Sequence, residues 1–247
     1  MRLDVHFGAG ALTAADTAGR VVAVIDVLRA STTIAVALSH GARTIIPFDS
    51  VEEAITRSKA YERREVRLAG ERKMLPVPGF DLGNSPAEFT AEQVDGRTLL
   101  FSTSNGTGAL VAVQSARDTV VASYVNFSVV VALLRTALRG GTDVAIVCAG
   151  RDRQFSLEDS ACAGRFVRHA IRRFPDVTLN DAAHAAIQIE RAYGDDIAKL
   201  FDDSAHGQAL AEAGFVDDLQ LCAEIDRYPV VPIYRDRQIV KLGSDRE

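Results

Sequence analysis

The chain has 247 residues, 47% of them hydrophobic and 25% charged, with a net charge of −5 at pH 7, which is material for one large globular domain or two small ones with a sizeable core. That acidic balance excludes the basic footprint of a nucleic-acid binder and offers no polybasic patch to a membrane surface; acids sit among or near the local arginine clusters "ERRE", "RHAIRR" and "RDR", which read as solvated faces. No apolar run is long enough to span a bilayer, the start "MRLDVHFGAG" lacks the regions of a signal peptide, and Cys148, Cys162 and Cys222 form no CxxC pair or zinc-type cluster, so a cytoplasmic protein with reduced, buried thiols is expected.

In chain order, "LDVHF", "VVAVID", "RTIIPF", "EVRLAG", "TLLFST", "TVVAS" and "DVAIVCAG" read as strands whose near-continuous apolarity suits cover on both faces. Between them "TTIAVALSHGA", "VEEAITRSKAYERR", "GALVAVQSA", "SVVVALLRTALRGG" and "LEDSACAGRFVRHAIRRF" carry apolar residues at helical spacing, with Gly41 and Gly140 at expected helix ends. Residues 176 to about 226 read as mainly helical, and "PVVPIY" and "QIVKLG" as a closing hairpin around "RDR". The expected class is α/β, a largely parallel sheet with helices on both faces and a mainly helical C-terminal region ending in a short hairpin. Residues 1–247 read as a single unit, with a subdivision near 175 as the alternative. The long connection "AGERKMLPVPGFDLGNSPAEFTAEQVDG" is irregular enough to be an ordered active-site loop.

Ligands of parallel sheets bind beyond the strand carboxyl ends, and in this chain each of those ends is polar. After "VVAVI" stand Asp26, Arg29, Ser31, Thr32 and Thr33. A helix start with unpaired N–H groups, hydroxyls and a planar guanidinium suits a phosphate. Asp26 would repel a bare phosphate there, unless a cation bridges the two or the carboxylate is itself a nucleophile or base. The competing reading is that Asp26 caps the helix and pairs with Arg29. Glu71 and Arg72 follow the next block, and "TSNGT" places Asn105 and Gly106 at a strand-to-helix handover, with Thr107 suited to an N-cap. In "SLED", Ser156 and Asp159 fit a capping box, yet Glu158 and Asp159 with Asp26 could also supply oxygen ligands for Mg²⁺. "GFDLGNSP" concentrates Asp81, Asn84 and Ser85. Of the histidines, His206 in "SAHG" is the candidate acid or base. Cys148 reads as a small core residue, because Gln154 stands where a Cys-five-residues-Arg phosphatase loop needs Arg. No GxGxxG, GxxxxGK[ST] or GxSxG is present.

In order, "VIDVLRASTT", "AGER", "GFDLGNSP", "TSNGT", "SYVNFSVV" around Asn126, "CAG", "SLEDSACAG" and "SAHGQAL" resemble the 2-phosphosulfolactate phosphatases named for coenzyme M biosynthesis, over nearly the whole chain. The resemblance implies a Mg²⁺-dependent phosphatase that converts (2R)-phospho-3-sulfolactate to 3-sulfolactate and phosphate. It implies catalytic roles for Asp26, Arg29, Asn105, Glu158 and Asp159, with Asp26, Glu158 and Asp159 as metal ligands. Ser31, Thr32, Glu71, Arg72, Asp81, Asn84, Ser85, Gly106 and Thr107 become substrate-binding candidates, Arg72 for the second anionic end. Ser31 and Ser104 stand where the family commonly has threonine, and both keep the hydroxyl. The expected partner is a small anionic phosphorylated substrate, neither nucleic acid nor membrane, and a homodimer would be unsurprising. Another phosphorylated hydroxy acid as substrate, or a non-catalytic metabolite binder, are the alternatives.

Overall fold

The computed structural model describes residues 1–152 and 154–243. Strands β1 (Arg2–His6) and β2 (Val21–Ile25) flank a short helix α1 (Ala14–Thr17). Next come α2 (Ala30–Ser39), β3 (Thr44–Pro47), α3 (Val51–Ser58), β4 (Val66–Arg72) and β5 (Leu75–Pro76). After α4 (Ala91–Val94) follow β6 (Thr98–Ser102), α5 (Gly106–Ala112), β7 (Asp118–Ala122), α6 (Phe127–Arg139), β8 (Val144–Cys148) and α7 (Leu157–Ile171). A two-residue β9 (Thr178–Leu179) precedes α8 (Asp181–Tyr193), α9 (Ile197–Asp203), α10 (Ala205–Glu212) and α11 (Val216–Ala223), and β10 (Pro232–Arg235) and β11 (Gln238–Lys241) form the closing hairpin.

All strands join in one sheet, in the order β5-β4-β6-β3-β11-β10-β7-β2-β8-β1-β9. Two parallel blocks, β4-β6-β3 and β7-β2-β8-β1-β9, flank the C-terminal hairpin, which is antiparallel to both of its neighbours. The expected hairpin is therefore present, but it occupies the middle of the sheet. Along the ladder the two blocks run in opposite senses. Twist of about 20–25° per strand step accumulates between them, and their carboxyl ends meet: beyond β8 the Asp152 N–H donates to Asn105 Oδ1 beyond β6, at 3.1 Å.

Both faces are covered, as the unbroken apolar runs of the strands require. Val21, Ala23 and Ile25 of β2 enter one core with α6 and α7, while Val22 and Val24 enter the other with α2 and α5. Helix α2 is buried from Ala30 to Leu38, all round rather than along a stripe. It ends at His40 with Gly41 in the left-handed region (φ 93°), whereas after α6 Gly140 is the cap and Gly141 takes the positive φ (77°). The segment "VEEAITRSKAYERR" is helical only as far as Ser58. The cysteines are free and buried, and burial pushes the Cys148 thiol far up, consistent with an inert core residue. Among the described residues no helix is long and apolar enough to cross a membrane.

Candidate active site

Where the two blocks meet, their carboxyl ends line a cleft of about 390 Å³. Asp26 and Arg29 enter it from the end of β2, Glu71 with Lys73 and Met74 from β4 and its turn, Ser104 and Asn105 from β6, Arg151 and Asp152 from β8, and His206 from α10.

The chain leaves β2 through Asp26 and a cis Leu28–Arg29 peptide into α2. Asp26 does contribute to the helix start: Ala30 N–H donates to its Oδ1 at 3.2 Å. Its own N–H donates to Ser31 Oγ at 2.9 Å. The N-cap position itself is Arg29. Asp26 is 7% exposed. Burial pushes its pKa up to about 6; the charges of Glu71 and Glu158 act the same way, and His206 and the Ala30 N–H oppose them. Gly106 backs the carboxylate so closely that a Cβ there would stand 2.7 Å from Asp26 Oδ2 and 2.7 Å from Ala30 Cβ.

Glu71 is buried and knits two strand ends together. Its oxygens accept from Met74 N–H at 2.9 Å, Ser104 N–H at 2.7 Å and Ser104 Oγ at 3.1 Å. The strand can bring it there because Gly70, at φ 145°, runs against β6; a Cβ at 70 would lie 2.0 Å from Ser102 O. Lys73 and Met74 both take left-handed φ values, 50° and 70°, which folds the β4–β5 turn over the cleft.

Glu158 and Asp159 open α7 and are buried. Glu158 Oε1 lies 3.4 Å from His206 Nδ1. Asp159 ties two loops together. Its Oδ1 accepts from Val27 N–H at 2.9 Å, and its Oδ2 accepts from Gly150 N–H at 3.1 Å and Ser156 Oγ at 2.8 Å. The expected capping box is thus replaced by a bond between the Ser156 and Asp159 side chains. Burial, and then the charges of Glu158 and Asp26, hold the Asp159 pKa well above the ordinary carboxylate range.

The sequence candidates divide sharply. Asp26, Arg29, Glu71, Asn84 and Asn105 border the cleft, with Gly106 packed directly behind Asp26. The hydroxyls expected to hold phosphate turn inward. Ser31 Oγ faces the β2 backbone, Thr32 Oγ1 donates to Val27 O at 2.9 Å, and Thr33 Oγ1 to Asn84 O at 2.9 Å. Thr107 is inside α5, donating to Thr103 O at 3.0 Å, and the N-cap is Asn105. Arg72, expected at the second anionic end, is bonded to Glu71 O, Ser102 O, Asp49 O and Ser102 Oγ. Lys73 and Arg151 border the cleft instead. Asp81 is engaged by Arg63 and by Leu68 N–H, away from the cleft. Ser85 Oγ donates to Asp218 Oδ1 at 2.6 Å. Asp218, which no motif singled out, also receives Arg29 Nη1 at 2.6 Å.

Mg²⁺ prefers few carboxylates, with water and substrate phosphate completing its shell. Among the described residues no three His, Cys, Asp or Glu side chains group to hold a metal ion, and both Asp159 oxygens are occupied by protein donors. Asp26 and Glu158, two buried carboxylates that feel each other's charge beside the cleft, are the pair that fits.

A family model described as 2-phosphosulpholactate phosphatase matches residues 10–237. A protein of Symbiobacterium thermophilum named as a probable 2-phosphosulfolactate phosphatase is 42% identical over 229 residues, covering 93% of this chain and 97% of that protein. Proteins of the same name from Caldanaerobacter subterraneus and Thermotoga maritima are 36% and 37% identical, covering 91% and 86% of this chain and 91% and 88% of theirs. With the motif order and the cleft that the motifs build, these matches show that the chain belongs to the 2-phosphosulfolactate phosphatase family.

Proposed function

We propose that the protein is a phosphoric monoester hydrolase that cleaves 2-phospho-3-sulfolactate to 3-sulfolactate and phosphate, aided by Mg²⁺. One observation supports this most directly: a single cleft is lined by buried Asp26, Arg29 and Glu71 from opposed strand ends together with His206 of α10, whose Nδ1 has Glu158 Oε1 3.4 Å away. A pure anion binder gains nothing from burying acids there, since each raises the cost of bringing an anion close. Uncatalysed phosphate-monoester hydrolysis is among the slowest of reactions, so charge neutralisation and in-line positioning must do most of the work.

Arg29 faces the phosphoryl oxygens with the N–H groups not engaged by protein. Lys73 and Arg151, on opposite walls, take the carboxylate and sulfonate. A water in the cleft attacks phosphorus in line and adds its oxygen to the phosphate while the P–O bond to the substrate alkoxide breaks, and His206, oriented by Glu158, passes a proton to that alkoxide. A Mg²⁺ ion held by Asp26 and Glu158 would neutralise charge developing on the phosphoryl oxygens.

A phosphate-release screen over 2-phosphosulfolactate and other phosphorylated hydroxy acids tests the substrate. The expected result is fastest turnover of the sulfonate; preference for another acid would keep the chemistry and replace the substrate. Calorimetric titration with Mg²⁺ alone tests the metal. Binding is expected to weaken strongly in Glu158→Gln and to weaken below pH 6, because Asp26 must lose its proton to bind. Equal Mg²⁺ affinity in wild type and Glu158→Gln would remove the ion from this pair.

A further inference from the structure

We propose that Asp218, in the C-terminal helix α11, is the positioning residue that sets the Arg29 guanidinium toward the cleft. The inference rests on the phosphatase reading and extends it to a part of the chain that contributes none of the motif carboxylates.

Arg29 and Asp218 are 3% exposed each. Arg29 Nη1 donates to Asp218 Oδ2 at 2.6 Å, and the other carboxylate oxygen, Oδ1, accepts from Ser85 Oγ at 2.6 Å. The second guanidinium nitrogen, Nη2, donates to Met74 O at 2.8 Å. The plane is further fixed by Phe215, whose ring centroid lies 4.2 Å from Arg29 Cζ. The guanidinium is thus clamped from the loop before α11, from α11 itself and from the β4–β5 turn. Both oxygens of Asp218 are committed, one to Arg29 and one to the loop carrying Asn84 and Ser85.

Five N–H donors in a rigid fork can serve two masters only if the fork is held on one edge. Asp218 holds the Nη1 edge, Met74 O the Nη2 side, and the remaining donors are left for an anion in the cleft that Arg29 borders. Without this partner the Nη1 edge of a buried arginine would be free to turn away from the cleft toward another acceptor. Asp218 therefore acts through Arg29 and not on the substrate.

A double-mutant cycle tests this. Asp218→Asn keeps the side-chain shape and removes the charge; it is expected to lower kcat/KM about tenfold to a hundredfold and to weaken inorganic-phosphate binding in parallel. In an Arg29→Lys background the same substitution should change kcat/KM and phosphate affinity less than twofold, because the fork it orients is gone. Equal losses in both backgrounds would overturn the proposal and make Asp218 a structural anchor. Should Asp218→Asn fail to fold, Ser85→Ala, which removes one anchor of the same carboxylate, is run through the same cycle with the same two outcomes. Phosphate affinity by calorimetry keeps the test independent of substrate. Wild type that binds phosphate without cleaving 2-phosphosulfolactate defeats only the substrate reading, and the cycle on phosphate affinity still decides the role of Asp218. Wild type that binds no phosphate overturns the proposal too.

Discussion

Asp26 carries a charge that its surroundings resist. Its pKa is pushed from 3.8 up to about 6, chiefly by burial. The folded state therefore holds this proton more tightly than the unfolded chain, and stability falls as pH rises from about 4 to about 6; at neutral pH the ionised group costs on the order of 3 kcal/mol. In EDTA, Asp26→Asn is expected to melt above wild type at pH 7.5 and level with it below pH 4; a mutant melting lower at pH 7.5 would mean that the Asp26 carboxylate stabilises the fold. Gly106→Ala drives a methyl into Asp26 and Ala30. It should cost about 1–3 kcal/mol in chemical denaturation and lower kcat, and a neutral result would show that α5 can shift away. Asp26 was legible in the sequence because it breaks an apolar run at a strand end. Asp218 was not, because nothing local separates it from its neighbour Asp217, which is exposed while Asp218 is buried.

Elements were easier to read than the direction in which their side chains point. Alternating strands and helices follow from periodicity, and every strand in "VVAVI", "TLLFS" and "VAIVC" is fully buried as its composition requires. The hydroxyls of the first turn of α2 were legible as a cluster and misleading as ligands. Ser and Thr satisfy backbone carbonyls as readily as they satisfy anions, and Thr32 and Thr33 do so here. Nor does spacing reveal that the β4–β5 turn bends over the cleft, since that depends on two non-glycine residues accepting left-handed φ. Glu71 holds that turn by accepting from Met74 N–H and Ser104 N–H. Glu71→Ala leaves both donors without this acceptor and should cost about 1–3 kcal/mol for each buried one. The loss should appear as a lower denaturation midpoint together with faster hydrogen exchange at Met74 and Ser104; unchanged exchange at those amides would mean the turn is held by other contacts.

At the scale of the whole molecule, the C-terminal hairpin is the seam of the sheet. Ile239 pairs with Ile45, and Ile233 with Val120, across separations that no local pattern encodes. This placement makes the alternative boundary near 175 testable. A chain truncated after residue 175 would lack both strands that join β3 to β7, so the far-UV circular dichroism of the fragment should show no cooperative melt, while the full chain melts in one transition. A fragment with its own sharp transition would establish two independently folding parts. The same seam turns the two sets of strand ends toward each other, which is why residues as distant as Asp26, Glu71 and His206 share one cleft.

The most direct measurement is phosphate release from 2-phosphosulfolactate by wild type and by Asp26→Asn, each with Mg²⁺ and with EDTA. Metal-dependent release in wild type that falls by at least two orders of magnitude in a folded Asp26→Asn protein is the expected result. Comparable turnover in the two proteins would contradict the assignment of this cleft as the place where the phosphate ester is cleaved.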